Sequence, residues 1–155
     1  VACEAVCGSP LVVDDTVYFG ADDGFLYALD ASTGAEKWVF QTEKWIWGRP
    51  LWQANVLVAA SADGRVYGLD AASGKRLWVH STGNANYADV VALGSLALVA
   101  CTSGRLHALD VATGEQAWTF DADAGLRAAP AVDPQGVIYL PTCAGTMYAL
   151  QGRAP

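Results

Sequence analysis

The stretch Asp22-Asp23-Gly24-Phe25-Leu26-Tyr27-Ala28-Leu29-Asp30-Ala31-Ser32-Thr33-Gly34, running on to Trp38, decides the fold because it returns. Ala62-Asp63-Gly64-Arg65-Val66-Tyr67-Gly68-Leu69-Asp70-Ala71-Ala72-Ser73-Gly74 runs on to Trp78. Thr102-Ser103-Gly104-Arg105-Leu106-His107-Ala108-Leu109-Asp110-Val111-Ala112-Thr113-Gly114 runs on to Trp118. The interval is 40 residues. A fourth copy, Cys143-Ala144-Gly145-Thr146-Met147-Tyr148-Ala149-Leu150, stops after its Leu, while Pro10, Pro50, Val90 and Pro130 keep the interval upstream. A period of this length marks a tandem array whose units bury their apolar faces only by stacking on one another.

Each unit reads as four short strands. In the first, Pro10 to Val13 is an apolar run ended by the turn pair Asp14-Asp15, and Thr16 to Gly20 alternates polar and apolar residues. Phe25 to Leu29 follows the hairpin signal Asp23-Gly24, and Lys37 to Gln41 carries the Trp. Four strands per unit, repeated, predict an all-β chain: a β-propeller of about four four-stranded blades. The units span about 9–48, 49–88, 89–128 and 129–150 of a single 155-residue domain. No helix is expected.

The repeated polar residues have structural work to do. Asp30, Asp70 and Asp110 each open a loop that closes on Gly34, Gly74 and Gly114. The carboxylate can accept backbone N–H bonds two and three residues on, and the Gly supplies a positive φ. Trp38, Trp78 and Trp118 then present a flat ring at a constant place, suited to docking against the neighbouring blade with the indole N–H bonded to backbone. His107 takes the place of Tyr27, Tyr67 and Tyr148, and His80 that of Phe40 and Phe120, so both read as scaffold.

The pattern Ala-Leu-Asp-x-x-Thr/Ser-Gly-x-x-x-Trp resembles the tryptophan-docking repeat of the pyrroloquinoline quinone (PQQ)-like propellers. That family includes quinone-dependent alcohol dehydrogenases and the lipoprotein of the bacterial outer-membrane β-barrel assembly machine. The resemblance covers residues 9 to 150. It implies the fold and not an activity, because the matching residues are those that hold blades together. It also implies a bacterial protein of the periplasm or cell exterior, with the cytoplasm left open. The named members carry seven or eight blades, against about four here.

Composition excludes several classes. With 53% apolar residues the chain can offset its ordering entropy. Nine basic residues against 16 acidic ones give a net charge of −7, which repels nucleic acid. The longest apolar stretch, Val90 to Ala100, is too short for a membrane span and is broken by Gly94 and Ser95. Val1 to Pro10 carries neither the basic start nor the apolar core of a signal peptide. The four cysteines permit an oxidising compartment without requiring one, and a Cys101–Cys143 bridge is open.

The fourth unit lacks its Trp-bearing strand, and residues 1–8 are a candidate closing strand that would remove an exposed edge. Three arrangements stay open: a closed four-blade ring, half of an eight-bladed ring completed by a second copy, or part of a longer propeller.

A ligand site would use the loops leading into the innermost strands: Glu4 to Gly8, Glu43 to Arg49, Thr82 to Asp89 and Asp121 to Arg127. They break the repeat while the scaffold around them stays constant. Trp45, Trp47, Arg49, Asn86, Tyr87, Asp89 and Arg127 are the candidate binding residues. Aromatic faces with an arginine suit a planar or anionic small ligand in the channel, or a strand of a partner protein. The alternative, implied by the resemblance, is a PQQ- and calcium-dependent dehydrogenase with an Asp base and a vicinal disulfide over the quinone. No Cys-Cys pair is present, and a calcium set would have to be assembled from Glu4, Asn84, Asn86 and Asp89. The sequence therefore favours a non-catalytic binding or assembly module without cofactor or metal.

Overall fold

The computed structural model describes residues 4–151, which hold fifteen strands and no helix. Blade 1 comprises β1 (Leu11–Val13), β2 (Thr16–Gly20), β3 (Phe25–Asp30) and β4 (Glu36–Gln41). Blade 2 comprises β5 (Leu51–Gln53), β6 (Val56–Ala60), β7 (Arg65–Asp70) and β8 (Arg76–Ser81). Blade 3 comprises β9 (Val91–Leu93), β10 (Leu96–Ala100), β11 (Arg105–Asp110) and β12 (Gln116–Asp121). Blade 4 has three strands, β13 (Ala131–Val132), β14 (Val137–Pro141) and β15 (Met147–Gln151). Every blade is an antiparallel meander in chain order. The architecture is the expected all-β propeller.

Repetition extends to fine detail. The third and fourth strands of blades 1 to 3 share a register shift, at Ala28/Leu29, Gly68/Leu69 and Ala108/Leu109. Asp30 Oδ1 accepts from the backbone N–H groups of Ser32 and Thr33 at 3.1 and 2.8 Å, and Asp110 Oδ1 from those of Ala112 and Thr113 at 2.9 Å each. Asp70 Oδ1 accepts from Ser73 N at 2.8 Å. These bonds hold the Asp30 and Asp70 carboxyls below the usual carboxylate range, the hydroxyls of Ser32 and Ser73 contributing most.

The core sits between blades. Leu26 and Ala28 of blade 1 pack with Leu57, Ala59 and Leu69 of blade 2; Val58, Ala60 and Val66 pack with Ala97, Val99 and Leu109; Leu98 and Leu106 pack with Ile138 and Leu140. A middle blade is thus covered on both faces, which is why Val56–Ala60 is apolar throughout and buried at every position. Blade 1 has one free face, and Thr16–Gly20 alternates accordingly between buried and half-buried residues. Among the described residues no core cluster joins blade 4 to blade 1.

Trp38 Nε1 donates to the Ala71 carbonyl and Trp78 Nε1 to the Val111 carbonyl, each at 3.0 Å and each across to the next blade. The rings lie on Gly74 and Gly114, where a Cβ would come within 2.6 and 2.4 Å of ring carbons. Trp118 packs in the third core cluster, and the position equivalent to Val111 in unit 4 lies outside the described residues.

Two features that the sequence left open can be placed. Residues 4–8 form no strand and add nothing to blade 4; the Ala5 carbonyl instead accepts from Asp22 N at 2.9 Å, in blade 1. This is the bond that the Trp45 carbonyl makes with Ala62 N one unit later, so residues 4–8 serve as the loop of blade 1; residues 1–3 of the candidate closing strand lie outside the described residues. Nor does a disulfide join Cys101 to Cys143: Cys101 is a buried free thiol, while Cys7 and Cys143 are free and exposed.

Candidate functional site

Interblade loops and the turns between second and third strands gather at one end of the blades. Trp45 and Trp47, each 36% exposed, stack with ring centroids 5.6 Å apart and planes 18° from parallel. Tyr87 lies 5.0 Å from Trp47, and the Arg127 guanidinium stands 5.9 Å from the centre of the Tyr87 ring. Trp47, Tyr87 and Arg127 are one repeat position in three successive units. Blades radiate from an axis, so side chains at the same place and small radius fall within stacking reach of one another. A continuous row results: Trp45, Trp47, Tyr87, Arg127.

The row is anchored at blade 1. Trp47 Nε1 donates to Asp22 Oδ1 at 2.5 Å, and Cys7, which occupies the same repeat position in the first unit, has its Sγ 3.9 Å from Asp22 Oδ2. Asp22 was not legible as a site residue from charge alone. Its signal is variation inside a constant turn, where the other units carry Ala62, Thr102 and Cys143.

Below the row, the inner strands β1, β5 and β9 line a groove of about 430 Å³. Arg49 and Asp89 stand on its wall with Leu11, Leu51 and Trp52. Asp89 Oδ1 accepts from the Arg49 backbone N–H at 2.8 Å, tying two consecutive loops together. Trp52, 37% exposed, is a second residue that sequence reasoning missed; its equivalents are Val12, Ala92 and Val132.

Asn86 belongs elsewhere. It is 1% exposed and fills the place that Ile46 and Leu126 fill in the neighbouring units. Its Nδ2 donates to the Ser61 carbonyl at 3.1 Å and to Thr82 Oγ1 at 3.0 Å, so the amide serves the blade interior and is not available to a ligand. A calcium set built on Glu4, Asn84, Asn86 and Asp89 does not fit this geometry, because Asn86 is committed inside the blade and Asp89 to the Arg49 amide. Among the described residues, no three His, Cys, Asp or Glu side chains converge as ligands of a metal ion.

Repeated blades, interblade tryptophans and loop variation at one end define a PQQ-like β-propeller. The sequence profile of the family described as outer membrane protein assembly factor BamB matches residues 4–118 and again 83–154, and the chain belongs to that family. The crystal structure of BamB from Moraxella catarrhalis is 27% identical, with a TM-score of 0.85 over 96% of this chain and 47% of that one. The chain therefore spans about half the length of that relative. The computationally designed protein Ika4 is 17% identical, with a TM-score of 0.86 over 97% of this chain and 93% of that one. A quinohemoprotein alcohol dehydrogenase from Pseudomonas putida HK5 is 19% identical, with a TM-score of 0.77 over 88% of this chain and 28% of that one. The last two likenesses establish the fold alone. No curated protein matches the chain.

Proposed function

We propose that this propeller is a non-catalytic binding module that takes an extended segment of a partner protein on the aromatic row, in the periplasm or cell exterior. The observation that carries the reading is the alignment of Trp45, Trp47, Tyr87 and Arg127 in one surface row, with Tyr87 half-buried between exposed neighbours. Stacked rings offer flat contact area at low entropic cost, and a terminal guanidinium can take a carboxylate or carbonyl of the bound chain. The relative's description as an assembly factor for outer membrane proteins supports a protein occupant over a small molecule. No cofactor has a part in this proposal. The family's enzymes keep a quinone and Ca²⁺ as the second reading, against which stands the poor fit of the residues assembled for calcium.

The test is quantitative capture of envelope proteins by the chain and by a Trp47→Ala/Arg127→Ala variant of unchanged circular dichroism. A partner held by the chain and lost, by roughly tenfold or more, in the variant supports the row, since such anchors carry most of an interface's free energy. Equal capture by both removes the row from the reading. A thermal shift with PQQ plus CaCl₂ would favour the enzyme instead.

A further inference from the structure

Blades 1 to 3 each leave a fourth strand at the outer rim, paired on one side only. The backbone N–H and C=O groups of such an edge accept a further strand unless side chains forbid it, commonly a lysine or another charge. Strand β4 has Lys37, paired with Asp15 at 2.8 Å, and β12 ends in Asp121, paired with Arg105. Strand β8 instead has Leu77 in the place of Lys37 and Ala117, and Val79 in that of Val39 and Thr119. Leu77 is 54% exposed and Val79 is 46% exposed. Val79 stands opposite Tyr67 in the ladder and so shares its face, which packs edge-on against Phe40 of blade 1. Between the two blades a cleft of about 470 Å³ opens, with Phe40, Tyr67 and Arg76 in its lining. Charge departs from the repeat at the same place. Lys75 and Arg76 lead into β8, where the other units have Ala35 and Glu36, then Glu115 and Gln116. Among the described residues neither cation has a carboxylate partner, although the chain carries −7 overall.

We propose that β8 is a docking edge for an extended, acid-flanked segment of another protein, which adds to blade 2 as a fifth strand. The segment sets an apolar side chain beside Val79 and brings carboxylates to Lys75 and Arg76. An open backbone edge selects a strand over a compact ligand, the exposed Leu77 and Val79 select apolar residues, and the two cations select acidic flanks. Main-chain hydrogen bonds supply the affinity of such an addition and side chains its selectivity. Blade 2 lies between blades 1 and 3, so its rim is an edge in an array of any length. The inference does not depend on what the aromatic row binds.

Fluorescence anisotropy tests it with a labelled synthetic peptide of alternating valine and threonine that carries glutamates at both ends. This peptide should bind the chain, and its counterpart with lysines for the glutamates should bind roughly tenfold more weakly or worse. Methylating the backbone nitrogens should abolish binding, since an added strand is held by its amides. Leu77→Lys/Val79→Thr imports the residues that β4 and β12 have at those places, Lys37 and Thr119, and should weaken binding roughly tenfold or more. Lys75→Glu/Arg76→Glu imports the charges of Glu115 and Glu36 and should reverse the preference toward the lysine peptide, a gain that misfolding does not produce. Trp47→Ala/Arg127→Ala should bind as the wild type does; loss there would assign the peptide to the aromatic row and overturn the edge. Indifference to the β8 substitutions, equal binding of the two peptides, a methylated peptide that still binds, or no binding up to about 1 mM would each overturn it as well.

Discussion

At the scale of the residue, Gly74 and Gly114 do two jobs where Gly34 does one. All three have φ near +70°, which closes the Asp-initiated loop. A Cβ on Gly34 would meet nothing within 4 Å, whereas one on Gly74 would stand 2.6 Å from the Trp38 ring. Gly34→Ala should therefore cost only the left-handed backbone, about 1 kcal/mol. Gly74→Ala should cost that and the displacement of an indole from its bond to Ala71, roughly 3 kcal/mol in total. Urea unfolding of the two variants checks the ordering, and equal losses would mean that the ring does not need the bare glycine. Half of this was legible in sequence. The loop geometry follows from the Asp-to-Gly spacing, but the contact with the preceding blade's Trp depends on blade rotation, which no local pattern encodes.

At the scale of the element, strands were readable because alternation and turn residues are local, and the site was readable only in part. Trp47, Tyr87 and Arg127 stand out as bulky departures from a repeat, and the structure brings them together. Asn86 stood out for its polarity, yet its repeat position holds Ile46 and Leu126, and that alignment marks it as interior. The contact of β8 with β11 carries a further departure. Elsewhere this contact is an edge-to-face Phe–Tyr pair, Phe40 with Tyr67 at 5.3 Å and Phe120 with Tyr148 at 5.1 Å. Here it is His80 against His107 at 5.7 Å, with both Nε2 atoms buried and unbonded. Burial pushes both imidazoles below 6.5, with the neighbouring His107 adding to the effect on His80 and Arg105 to that on His107. A contact between His107 Nδ1 and Gln116 Oε1 works the other way, as does Asp121. Because the folded pKa values are depressed, this interface is fully stable above about pH 6.5 and loses stability as the unfolded chain takes up protons below it. The lowered carboxyls of Asp15, Asp30, Asp70, Asp121 and Asp123 lose their contribution only below about pH 5 and do not mask the effect. His80→Phe/His107→Tyr should raise stability by about 1–2 kcal/mol by removing unbonded buried nitrogens. It should also flatten the fall in Tm between about pH 7 and 5. A variant that keeps the wild-type slope would place the titration elsewhere.

At the scale of the whole molecule, the repeat specifies the blade and not the ring. A 40-residue period is the same in a closed ring of four blades and in half of a larger one, so the sequence left the arrangements open. Exposure in the structure bears on one of them: Met147 and Tyr139, which would be covered if blade 4 closed on blade 1 of the same chain, are 64% and 40% exposed.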